Sequence, residues 1–249
     1  MNQVIETILN HKSIRKFQDK PLTDSQIKLI VESAQAASTS SFVQAYSIIG
    51  IKDKDTKRKL ATIAGNQSYV EENGHFFVFC ADLFRHEVCS EMEGKNVDIS
   101  LESTEKFMVA IIDATLAAQN AVLAAESMGL GICYIGGLRN NLKEVCDLLH
   151  IPNRVIPLFG ITVGYPAQQR DKKPRLPFHH VYHEERYQSD LSTYKKGLQE
   201  YNQEISSYYN KRTAGKRKET WTEQIATMME QPRRMYMKEF VEGKRVNLR

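Results

Sequence analysis

Apolar residues recur along this chain at helical and strand spacings and outline a mixed α and β order. Val4, Ile5, Ile8 and Leu9 predict an opening helix that stops near His11. Thr23 predicts the N-cap of a second helix. Gln26 completes a capping box there, and Ile27, Ile30, Val31 and Ala34 form the apolar stripe. Tyr46 to Ile51 reads as a strand, and the unbroken apolar run from His75 to Ala81 as a buried one. The dominant element is a helix from Leu101 to Met128, apolar around nearly its whole circumference. A helix of that kind belongs in a core or at a subunit interface. Gly129 and Gly131 are expected to end it. A strand at Ile132–Ile135, a helix at Asn141–His150 and a strand at Pro157–Val163 follow, with no internal repeat.

Beyond this point the pattern changes. Pro166 to Pro177 is a loop with three prolines, and residues 188–249 read as mostly polar helix. Leu191, Leu198, Ile205, Tyr208 and Tyr209 are its sparse apolar anchors, too few for a core of its own. The expected organisation is one domain, residues 1–187, with an extension, 188–249, that wraps around the body or a partner subunit.

Composition narrows the class. A chain of 249 residues with 41% hydrophobic and 26% charged content can bury a substantial core. The net charge of +4 is too small to imply nucleic acid, but Lys211, Arg212, Lys216, Arg217 and Lys218 crowd one short stretch. Cysteines 80, 89, 133 and 146 form no CxxC pair, which argues against a zinc or dithiol site and fits reduced thiols in a cytoplasm. The N-terminus has no secretory pattern. Phe107–Ala125 is apolar enough to suggest a membrane span, yet Asp113, Gln119 and Asn120 favour a buried helix. His179, His180 and His183 follow directly on Pro177 with no cysteine nearby, and Glu184 and Glu185 read as surface charge rather than oxygen ligands, so no metal site is expected. No GxSxG, HExxH or P-loop is present, so the chemistry points to a cofactor rather than a nucleophile.

Two short basic segments carry the candidate chemistry. His11-Lys12-Ser13-Ile14-Arg15 and Lys173-Pro174-Arg175-Leu176-Pro177 each offer cations and donors from a stiff stretch, as phosphate binding requires. Taken alone, the first reads better as an exposed basic helix terminus, and the second also fits a solvated linker. Gly129 and Gly131 follow a helix and lead into a strand, the reverse of a dinucleotide fingerprint. Gly136 and Gly137, just past the strand, fit either a close approach to a flat ring or an ordinary turn. With Gly65-Asn66-Gln67-Ser68-Tyr69 and Tyr134–Asn141, these segments outline a flavin mononucleotide site.

Seven ordered segments resemble one family: HKSIR at 11–15, ASTSSFVQAYSI at 37–48, GNQSYV at 65–70, AAESMGLGICYIGGLRNN at 124–141, PLFGITVGYPA at 157–167, KPRLP at 173–177 and YYNKRTAGKRKETW at 208–221. The chain is similar to the bacterial NADPH-dependent flavin reductases and oxygen-insensitive nitroreductases of the major NADPH type, notably their Bacillus members. The resemblance implies an α+β nitroreductase fold, with a mixed, mostly antiparallel sheet flanked by helices. It also implies a domain-exchanged homodimer with two FMN molecules at its interface. By the same resemblance, His11, Lys12 and Ser13 hold the flavin phosphate region, Lys173 and Arg175 add charge, and Arg15 reaches toward the ring. Gln67 and Tyr69 line the ring and ribityl chain, Tyr134, Ile135, Gly136 and Gly137 give backbone contacts, and Thr39 and Ser40 come from the partner subunit. NADPH would meet Arg15 and, through its 2′-phosphate, Arg212 and Arg217. Lys12 stands where the family usually has arginine, and Thr39 where it usually has serine.

The implied activity is transfer of electrons from NADPH, with NADH a further possible donor, through FMN to free flavin, nitroaromatics, quinones or azo compounds in a ping-pong cycle. FMN does the chemistry and no side chain is assigned as catalytic. Neither nucleic acid nor membrane is an expected partner. The alternative is a non-enzymatic flavin- or nucleotide-binding module whose basic tail docks on nucleic acid.

Overall fold

The most apolar run of the chain lies inside a sheet, between two neighbouring strands. In the computed structural model, which describes residues 2–249, the order begins with α1 (Gln3–Leu9), α2 (Asp24–Gln35), β1 (Tyr46–Ile51), α3 (Lys54–Ile63), β2 (His75–Asp82), α4 (Phe84–Glu93) and α5 (Asp98–Leu101). It continues with α6 (Thr104–Ser127), β3 (Gly131–Ile135), α7 (Leu142–Leu149), β4 (Val155–Gly164), α8 (Leu191–Arg212), α9 (Trp221–Met229) and α10 (Met237–Gly243). The four strands pair antiparallel in the order β1-β2-β4-β3. All residues of β2 are buried, as a strand covered on both faces demands. Phe76, Val78 and Cys80 pack on one face with Leu60 and Ala61 of α3 and Val145 of α7. Phe77 and Phe79 pack on the other with Ile30 and Ala34 of α2 and Ala117, Ala118 and Val122 of α6.

The chain divides into two compact units. One is the body up to Arg170 together with Tyr236–Arg249, and the other is Asp171–Met235; the sequence places its division after residue 187. The last residues return to the body's core. Val241 and Val246 are buried there, and Tyr236 donates from its hydroxyl to the Arg139 carbonyl at 2.8 Å. Buried Arg154 ties this segment to the body, donating from one guanidinium nitrogen to the Arg245 carbonyl and from the others to Glu87 and Asp98 at 3.2 and 2.8 Å. The second unit has a small apolar cluster of its own, with Tyr201, Ile205 and Tyr209 buried beside Leu176, Tyr208 and Trp221. The expectation that the tail has no core is corrected by the aromatic residues, whose burial replaces that of the missing aliphatic ones. Leu191, expected as an anchor, is exposed.

The long helix also differs in detail. It starts at Thr104, capped by Ser103, whose hydroxyl accepts from the Lys106 amide. Leu101 belongs to the separate turn α5, and Gly131 opens β3 rather than ending the helix. By length and composition α6 could cross a membrane, but its inner face packs in the core and carries Asp113 fully buried. The carboxylate of Asp113 accepts the Ser40 and Ala45 amides at 2.9 and 3.0 Å. Met108, Ile112 and Leu116 are exposed along the outer face of α6 within this chain, an apolar surface of the kind expected of a helix at a subunit interface.

One buried group gives the fold a pH dependence. His75 is 2% exposed, and neither ring nitrogen has a hydrogen-bond partner. Burial, with the nearby Lys52 and Lys57 charges adding to it, lowers its pKa to about 4, against a partial opposing pull from Asp24. The folded state therefore prefers the neutral ring. This contribution is complete above pH 6.5 and is lost as the pH falls from there toward 4, by about 3 kcal/mol at most. Between pH 7 and 4.5, His75→Phe should lose less melting temperature than the wild type. Equal losses would place the acid sensitivity elsewhere.

Candidate functional site

The segment after α1 is an added edge to the sheet, not a free helix end. Ser13 bridges to Ile132 in parallel register, and the Ile14 amide donates to the Ile132 carbonyl at 2.8 Å. Strand alternation then turns Ile14 inward, where it is buried, and leaves Arg15 exposed. The crossing is close: a Cβ on Gly131 would lie 2.7 Å from the Ile14 side chain, so only glycine fits there. His11 is fixed by a 2.7 Å contact from Nδ1 to Glu126 Oε1 at the end of α6.

A cleft of about 420 Å³ opens beside this edge, bordered by Lys12, Ile14, Glu126, Gln168 and Arg170 among others. Its polar lining is incompletely paired: Glu126 Oε2 and Gln168 Nε2 are buried with no hydrogen-bond partner. The positive field extends under β3. Burial raises the pKa of the Cys133 thiol, while the charges of Arg15 and Arg170 pull it down.

Arg15 joins this edge to a second cluster. Its guanidinium carbon lies 6.0 Å from the centroid of the Tyr69 ring, and the Tyr69 hydroxyl donates to Gln67 Oε1 at 2.8 Å. Gln67 follows a tight turn at Gly65 and Asn66 after α3, both with positive φ. The turn Gly136–Asn140 docks on the same helix end, with Asn140 Nδ2 donating to the Ile63 carbonyl at 3.1 Å. A Cβ on Gly137 would lie 2.5 Å from the Ala64 carbonyl oxygen, so the protein's own backbone already requires this glycine. Tyr134 projects from β3 with its hydroxyl 3.4 Å from Gln119, and burial raises its pKa to about 12.

Thr39 and Ser40 lie elsewhere on the same ruler. Ser40 is tied to Asp113 and His11 to Glu126, points about 20 Å apart along α6 at ~1.5 Å per residue. The structure thus brings Arg15, Gln67 and Tyr69 together, with Gly137 on the same helix end, and Lys12 with the cleft. It holds Thr39 and Ser40 of the same chain apart from His11. Glu126, Gln168 and Arg170 escape sequence reading; the signal for Glu126 is a lone carboxylate in an alanine-rich helix end.

The second unit gathers the remaining cations. Lys173–Pro177 is pinned rather than a solvated linker: Tyr201 donates to the Pro174 carbonyl at 3.0 Å, and Leu176 packs in the Tyr201 cluster. Lys173 and Arg217, expected to serve different ligands, share one ring. Their charges lie 5.3 and 4.3 Å from the Tyr209 centroid. Arg212 lies over Tyr208 at 5.8 Å, and Arg175 is exposed on the same loop as Lys173.

Known proteins share this plan. A model of the nitroreductase family matches residues 8–165, and one of the nitroreductase family C-terminal domain matches 173–249. An FMN reductase (NADPH) of Bacillus subtilis is 56% identical over 247 residues, 99% of each chain. The solved structure of B. megaterium NfrA1 is 70% identical with a TM-score of 0.98, covering 99% of this chain and 100% of that one. The NADPH:FMN oxidoreductase from Vibrio harveyi, complexed with NAD+, is 39% identical with a TM-score of 0.89 and full coverage of both chains. The likeness runs through both compact units, and with it the chain is placed as a member of the nitroreductase family.

Proposed function

We propose that this protein is an FMN-dependent oxidoreductase that takes electrons from NADPH and delivers them to free flavin, nitroaromatics, quinones and azo compounds. The observation that carries this reading is the meeting of Arg15 with Gln67 and Tyr69 beside the cleft at Lys12. The residues fit the cofactor. The cleft offers cations and an unpaired buried amide for a phosphate-bearing chain. FMN held there would supply the redox chemistry between donor and acceptor. His11, Lys12 and Ser13 bind the phosphate region, with His11 held in place by Glu126. Arg15 stabilises negative charge near the ring, and its contact with Tyr69 limits its conformations. Gln67, Tyr69, Tyr134 and Ile135 orient the cofactor. Arg212 and Arg217 receive the 2′-phosphate of NADPH.

The enzyme works as a cytoplasmic homodimer. The exposed Met108–Ile112–Leu116 face of α6 supports a subunit contact, and the separation of Ser40 from His11 supports Thr39 and Ser40 serving the partner's flavin. One open site for donor and acceptor means that the first product leaves before the second substrate enters. Double-reciprocal plots at several acceptor concentrations should be parallel. Intersecting lines would require both substrates bound at once and would overturn the shared site.

A further inference from the structure

Resting on the assignment of Arg212 and Arg217 to NADPH, we infer that Tyr209 is the positioning residue of the 2′-phosphate receptor, and that its ring rather than its hydroxyl does this work. Arg217 follows the end of α8 by a tight turn, and three contacts fold it back. The Gly215 amide donates to the Asn210 carbonyl at 2.8 Å. Thr213 Oγ1 donates to the Tyr209 carbonyl at 2.7 Å, and the Arg217 amide donates to that same hydroxyl oxygen at 2.9 Å. The outcome is the Arg217 guanidinium over the Tyr209 ring at 4.3 Å, with the Lys173 ammonium 5.3 Å from the same centroid. Tyr209 is itself buried in the Tyr201–Ile205 cluster, so the platform does not move with solvent. Next to it, Tyr208 holds Arg212 by its ring at 5.8 Å and by its hydroxyl, which accepts from Nη1 at 3.2 Å.

A guanidinium resting on an aromatic face keeps its N–H edge in its own plane, where phosphate oxygens bind. Mobile surface arginines lose rotamer freedom when they close on an anion; cations already seated on a buried ring lose less. Two like charges on one ring also raise the local potential, which a dianionic group relieves and a free 2′-hydroxyl does not. Glu219, 3.3 Å from Arg217 Nε, is the carboxylate with which the phosphate competes. Tyr209 therefore acts on donor choice without touching the donor's nicotinamide.

The probes are adenosine 2′,5′-bisphosphate and adenosine 5′-monophosphate, titrated calorimetrically into the holoenzyme, together with the KM values for NADPH and NADH. Tyr209→Leu should weaken the bisphosphate by ~5–30-fold, the loss of one or two cation–ring contacts. It should raise the NADPH KM alike, and leave adenosine monophosphate binding, the NADH KM, kcat and FMN content nearly unchanged. Tyr209→Phe should behave as wild type. Thr213→Val, which removes the tie to Arg217 without touching the buried ring, should show the same selective loss if Tyr209→Leu does not fold. Failure of Tyr209→Phe to retain the preference would overturn the role of the ring. So would an unchanged preference in Tyr209→Leu or, where that variant does not fold, in Thr213→Val. Arg212→Ala with Arg217→Ala separates the two levels. If this double variant keeps the NADPH preference, the assignment of the arginines fails. If it loses the preference and the Tyr209 variants do not, only the platform fails.

Discussion

Replacing Lys12 and Arg15 together with alanine should weaken FMN binding by about a hundredfold or more. Each residue is assigned a charge-assisted contact of roughly 1.5–3 kcal/mol, and the two lie on either side of the buried anchor Ile14. Their sum, about 3–6 kcal/mol, corresponds to at least two powers of ten in Kd. The fold should survive, because Ile14 and its pairing with Ile132 remain. Lys12→Arg should keep or tighten the flavin, since a guanidinium adds a fork where lysine gives a point charge. FMN retained after dialysis, measured as the flavin-to-protein absorbance ratio, checks this. A double variant that stays stoichiometrically loaded would remove both residues from the site.

Asp113→Ala should cost the most stability of any single change considered. The carboxylate is fully buried and accepts two backbone amides from the loop after α2. That loop carries Ser41, Phe42 and Gln44 with φ of 47°, 58° and 53°. Left-handed conformations of this kind persist only where surrounding bonds enforce them. Losing both charged acceptors leaves two amides unpaired, about 3–5 kcal/mol, and should lower the melting temperature by roughly 10 °C or more. Asp113→Asn should fall between, because one carbonyl oxygen serves one amide while the new NH2 opposes the other. A melting temperature within a degree of wild type in Asp113→Ala would mean that water or the loop itself replaces these bonds.

The sequence announces Asp113 only as an unexplained carboxylate in an apolar helix, and that is typical of what can and cannot be read from it. β2 is legible because a strand covered on both faces must be apolar throughout. The Thr23–Gln26 capping box is legible because it is local, and both of its hydrogen bonds are present. α3 is not, because it is a polar segment whose buried positions include Lys57, its ammonium capped by the Asn73 carbonyl at 2.9 Å. α4 buries no residue at all and carries no strong apolar stripe. The return of Tyr236–Arg249 to the body depends on the long-range partners of Tyr236 and Arg154, which no local pattern records. At the candidate site, His11–Arg15 and Gly65–Tyr69 are visible as motifs, yet their meeting through Arg15 and Tyr69 is a long-range contact that no local pattern records. Glu126, Gln168 and Arg170 stay hidden for the same reason.

The central claim is that this chain carries FMN and reduces it with NADPH. It is tested most directly by mixing the purified protein anaerobically with NADPH while recording its visible spectrum. The account predicts a yellow protein with one FMN per chain, bleached on mixing and restored when an acceptor is added. A colourless protein, or a yellow one that NADPH leaves unchanged, would contradict it.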